Sequence, residues 1–168
     1  MQTSEQIRNS VAELYWLVFL LTGQRGLSQD LTQDVLNSPD CPGPWSRRTA
    51  FTKAFAAVHD ELALSAVRVA SKKFEMTGIP PHTWSLDPDT TKIKIENALV
   101  NIDIFPRWAL LLTVFEGLGL EEASALLGAD RELVQQGQIA GLLDLTRNLA
   151  RASFDFNEYH FNTQAAAI

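Results

Sequence analysis

The stretch from Phe105 to Ala150, FPRWALLLTVFEGLGLEEASALLGADRELVQQGQIAGLLDLTRNLA, leaves the chain little freedom of fold. Trp108, Leu111, Leu112 and Phe115 recur at helical spacing and mark one apolar face of a first helix. Pro106 suits the first turn of that helix, where its missing N–H is no loss. Gly117 and Gly119 break it. Glu121 and Glu122 then sit where carboxylates favour the positive end of a helix dipole. They open a short helix carrying Ala123, Leu126 and Leu127, which ends at Gly128, a residue that tolerates the left-handed cap conformation. Asp130 is a good N-cap for a longer third helix running to about Ala150. A short helix, a tight turn with glycine and a second helix form the helix-turn-helix pattern.

Upstream, Ile7, Val11, Leu14, Val18 and Leu21 step by four and three, which predicts a largely buried helix over 4–22. Ser28 is expected to cap a second helix to about Asn37. Residues 38–46, SPDCPGPWS, form turns, and Pro44 and Trp45 open a third helix to about Lys73. Its buried stripe is Phe51, Ala54, Phe55, Val58, Leu62, Ser65 and Val69. Residues 74–91 carry Gly78, Pro80, Pro81 and Pro88 and read as a linker. Ile95, Leu99 and Ile102 mark a helix leading into the 105–150 stretch, and the tail 151–168 is expected to fray despite Phe154, Phe156, Tyr159 and Phe161. Strands alternating with helices are absent from the pattern, so the expected class is all-α. The expected division is a helical domain at 1–73, the linker at 74–91, a helix-turn-helix domain at 92–150 and the tail.

Several functions are disfavoured on composition. The longest apolar run, Leu14 to Leu21, has eight residues, against the roughly 20 of a membrane span. Glu5 and Glu13 also spoil a signal peptide, so a soluble, cytoplasmic protein without membrane association is expected. Cys41 is the sole cysteine, which excludes an internal disulfide and any multi-cysteine zinc site. His59, His82 and His160 are far apart, and neither a Gly-rich phosphate loop nor a G-x-S-x-G elbow occurs. Asp87 and Asp89, either side of a proline, read as turn formers. Catalytic residues, a metal and a cofactor are therefore not expected.

The run Leu110, Glu116, Gly117, Leu118, Glu121, Glu122, Ala123, Leu126, Leu127, Gly128 and Val134 resembles region 4 of bacterial RNA polymerase sigma factors of the small extracytoplasmic-function type. Leu20, Leu21, Thr22, Gly23, then Asp30, Leu31, Gln33, Asp34 and Val35 resemble the start of sigma region 2. The resemblance implies a region 2-like domain and a region 4-like domain joined by a tether. It also implies a transcription regulator with RNA polymerase core, promoter DNA and an anti-sigma or other regulatory protein as partners. Carried over by position, Asp30, Gln33 and Asp34 are the candidate polymerase contacts. Trp45, Arg47, Arg48, Phe51 and Lys53 fall where the family grips a single strand by stacking and charge. A second basic group, Arg68, Lys72 and Lys73, either joins that surface or complements the end of its helix. The W-L-x-x-I-A-x-N-like run of the family is missing.

In the recognition helix the resemblance puts Arg131, Gln135, Gln136 and Gln138 against DNA, where glutamine pairs with adenine edges and arginine with phosphate. The charge of the chain pulls the other way. It carries a net −6, and from Leu111 to Ala150 six carboxylates face only Arg131 and Arg147. Such a surface repels a polyanion at low salt. Gly137 and Gly141, each costing about 1 kcal/mol of helix propensity, would let another helix approach closely. Two readings stand: a DNA-contacting, polymerase-docking regulator, or a sigma-like protein-interaction module that has lost DNA binding.

Overall fold

The computed structural model describes residues 4–38, 47–72 and 92–165, with side chains at residue 8 and at 10–38, 47–72 and 92–151. The linker at 74–91, Trp45, Cys41 and Lys73 fall outside these, as do the side chains of the tail aromatics. Every regular element among the described residues is helical, so the fold is all-α. The chain divides into two units, Met1–Val67 and Arg68–Ile168.

In the first unit, α1 (Ser4–Thr22) and α2 (Arg25–Leu36) pack together across a two-residue joint. Gly23 supplies the joint with φ of 72°, a left-handed conformation that costs glycine little. Val18 and Leu21 of α1 and Val35 of α2 are fully buried, and Leu14, Val18, Val35 and Ala50 form one core cluster with Leu31 against it. α2 starts three residues before the expected cap. Gln24, extended, precedes the first turn, and Ser28 lies inside the helix, fully buried. The Ser28 hydroxyl lies 2.8 Å from that of Thr22, with the Gln24 and Val18 carbonyls also in reach, so the two O–H groups share three contacts, of which two are hydrogen bonds at any moment. Serine is thus spent on tying the helices together, and no donor of the first turn is capped by it. α3 (Arg47–Ser71) buries Phe51, Ala54, Val58, Leu62 and Ser65, with Phe55 half-buried.

The second unit takes in the last turn of α3. Val69 is buried there, and Arg68 makes a bidentate pair with Asp103, at 2.9 Å from Nε and 2.7 Å from Nη2. Asp103 also accepts the Ile104 N–H and so caps α5 (Ile104–Leu110). α4 (Lys92–Val100) precedes α5 and buries Ala98 and Leu99. All seven residues of α5 are buried, Arg107 among them. The Arg107 guanidinium reaches back to the carbonyls of Val100 at 2.8 Å and Ile102 at 3.2 Å, placing a cation at the negative end of α4.

After α5 the chain makes a π-helical turn, Leu111–Phe115, closed by the Glu116 N–H on the Leu111 carbonyl five residues back. This wider turn moves side chains around the axis more slowly than an α-helix does. Trp108, Leu111 and Leu112 stay buried, but Phe115, expected on the same face, is swung out and 46% exposed. Gly117, with φ of 70°, ends the turn. α6 (Leu120–Leu127) and α7 (Arg131–Ala165) follow. α7 was expected to end near Ala150, yet its backbone continues to Ala165.

α7 lies against α4, α5 and α6. Its contact with α5 has no room for a β-carbon: one built on Gly137 would lie 2.8 Å from the Phe105 ring, and one on Gly141 would lie 2.6 Å from the Pro106 carbonyl oxygen. The close-approach face expected from these glycines is therefore used by the chain's own α5. Val134, Ala140 and Leu145 complete the buried side, and Asn148 donates to the Ala98 carbonyl at 2.9 Å.

Two outcomes follow from this packing. Gly→Ala in a helix normally stabilises by about 1 kcal/mol, but Gly141→Ala should destabilise by about 1–3 kcal/mol through overpacking against backbone. Gly137→Ala should cost less, because a side chain is what must yield. Chemical denaturation of the two variants ranks them. Arg107→Met keeps the volume but leaves two carbonyls without their donor, a loss of about 2 kcal/mol in the same measurement.

Candidate functional site

The candidate site is built from α6, a three-residue turn and the start of α7. Glu122, in the first turn of α6, accepts the Gly119 N–H at 3.2 Å, so a carboxylate satisfies one of the donors an α-helix start leaves open. The end of α6 is a left-handed Gly128 with φ of 60°, whose N–H and that of Ala129 both return to the Ser124 carbonyl. Asp130 caps α7 as its sequence position suggests, accepting the Leu133 N–H at 2.8 Å. Ala123, Leu127 and Val134 are buried and hold the two helices together.

On the outer side of α7, Arg131, Glu132 and Gln135 are exposed, while Gln136 and Gln138 are half-buried. Arg131 does not stand free: its Nη1 lies 3.1 Å from Glu121 Oε1, across the turn from α6. Both side chains are well exposed, at 65% and 79%, so the pair adds little stability. Its effect on the site is one of charge, since the first cation of α7 sits beside a carboxylate. Gln136 lies 3.5 Å from Glu132 Oε1, a long hydrogen bond that turns its amide along the helix. Arg147, the next cation, pairs with Asp144 at 3.4 Å one turn back. Sequence reading counted these charges but missed the Glu121–Arg131 pair. The available signal was an acid in the first turn of the short helix facing a base in the first turn of the long one.

The first unit carries the other two candidate surfaces. Asp30, Gln33 and Asp34 are all exposed and, at i, i+3 and i+4, share one face of α2. The opposite face, Ser28, Thr32 and Val35, is buried. Arg47 and Arg48 are exposed in the first turn of α3, and the Arg48 carbonyl accepts the Thr52 hydroxyl. Phe51, expected beside them as a stacking platform, is instead only 7% exposed and belongs to the interior. In the second basic group, Arg68 is engaged with Asp103.

His59 lies 3.3 Å from Asp60, both on the surface. Among the described residues there is no group of three or more His, Cys, Asp or Glu side chains placed to hold a metal ion, and no helix long and apolar enough to cross a membrane. No family model, curated protein or solved structure matches the chain.

Proposed function

We propose that this chain is a sigma-like transcription regulator that works by docking on RNA polymerase through protein contacts, with little grip of its own on duplex DNA. The observation that carries the reading is the helix-turn-helix whose two recognition-span cations, Arg131 and Arg147, each lie beside a carboxylate. Phosphate contacts supply most of a protein's affinity for DNA, and they come from cations free to meet it. The shared exposed face of Asp30, Gln33 and Asp34 supports the docking half, since it is polar, regular and offered to solvent. With Phe51 in the interior, a single-strand grip by stacking has little to stand on. The exposed Gln135 favours a second reading, direct contact with adenine edges once a polymerase holds the DNA in place.

The test is binding of the purified chain to core RNA polymerase and, separately, to duplex DNA at low salt. Core binding without duplex binding is the expected result; no core binding ends the proposal. Asp30→Lys with Asp34→Lys should weaken core binding about tenfold or more while the melting temperature holds, as charge reversal across an interface does. Glu121→Gln should change stability by less than about 1 kcal/mol and leave duplex affinity low. A large gain in duplex affinity would mean that the single ion pair, not the acidity of the whole surface, holds DNA off.

A further inference from the structure

The π-helical turn does something an ordinary helix would not. It takes Phe115 off the buried stripe of Trp108, Leu111 and Leu112 and presents it beside Val114, the two being 46% and 47% exposed. Such turns are costly and gather at functional positions. α6 packs on this turn and adds Leu126, itself 36% exposed and one turn from Glu122 on the same face of α6. The chain around these apolar groups is acidic. From Val114 to Gln136 there are five carboxylates, Glu116, Glu121, Glu122, Asp130 and Glu132, against the one guanidinium of Arg131, which is beside Glu121. Glu116 directly follows Phe115. Glu122 is hydrogen-bonded to Gly119, four residues on and thus within about 14 Å along the chain.

We infer that Val114, Phe115 and Leu126 form a docking surface for a partner protein segment that is basic and amphipathic, with apolar anchors flanked by Lys or Arg. The apolar groups supply contact area and the carboxylates select the sign of the partner's charge. Two nearer occupants fit poorly. The chain's own linker, 74–91, contains Glu75, Asp87 and Asp89 and no Lys or Arg. A second copy brings a net charge of −6 against an acidic surface. The inference rests on the protein-contact reading above and names the partner's chemistry at a different face from α2.

The experiment uses the full chain and a set of synthetic amphipathic peptides, alike in their apolar residues, with net positive, zero and net negative charge. Fluorescence anisotropy should show the cationic peptide binding about tenfold tighter than the neutral one, and Phe115→Ser should weaken it by about tenfold, as loss of an aromatic anchor does. Because Phe115 is half outside, the variant should keep its melting temperature. Glu122→Gln with Glu132→Gln, measured in parallel, should reduce the preference for positive charge. Equal binding of all peptides, no binding of the cationic peptide, unchanged affinity in both variants, or self-association lost with Phe115→Ser would each overturn the inference. Failure to bind core polymerase, with the peptide result intact, would sink only the earlier proposal.

Discussion

The second unit depends on how closely α7 can approach α5. Two glycines one turn apart, Gly137 and Gly141, remove the side chains that would hold these helices at an ordinary distance, and the Phe105 ring and Pro106 carbonyl fill the space. Helices usually pack 8–10 Å apart, with the spacing set by the side chains at the contact. Here the propensity lost to glycine, about 1 kcal/mol each, is offset by contact with a helix buried on every side. Because α5 is internal, its one charged residue needs partners inside as well, and Arg107 finds them at the end of α4. Close approach, buried guanidinium and capped α4 are therefore one arrangement. α6 and the turn that follows it are held against this base, and the orientation of the outer side of α7 follows from it.

On that outer side the backbone and the surface chemistry are set by separate groups. The backbone devices are those a sequence-reader would ask for: a left-handed glycine, an aspartate cap and a carboxylate at the first turn. The groups displayed on it are mostly acids and amides. A pairing such as Glu121 with Arg131 is weak as a source of stability, yet it lowers the positive potential at the start of α7. The same surface carries the exposed apolar groups Val114, Phe115 and Leu126.

Much of the fold was legible because helical periodicity is a strong signal over long segments. The stripe of α1 and the punctuation by Gly117, Gly128 and Asp130 needed no tertiary information. The misses share a cause, in that tertiary demands overrode a local rule. Ser28 looks like a cap, but its hydroxyl serves better bound to Thr22 inside the hairpin. Phe115 has the right spacing for burial, but spacing assumes 3.6 residues per turn, and nothing local announces a π turn. Phe51 looks like an accessory to two arginines, and the buried side of α3 claims it. At the candidate site, residue types and exposed faces were readable, whereas the Glu121–Arg131 pair joins residues ten apart across a turn and depends on the turn's shape.

The length of α7 has a mechanical meaning. Its 35 residues span about 52 Å at 1.5 Å per residue, and its closest contact with α5 falls at Gly137 and Gly141, near its N-terminal end. Arg131 lies ten residues, about 15 Å, from Gly141, so a tilt of about five degrees there would carry the start of α7 through only about 1 Å. The contact with α5 is thus a fulcrum set close to the turn between α6 and α7, and it keeps Arg131 within reach of Glu121.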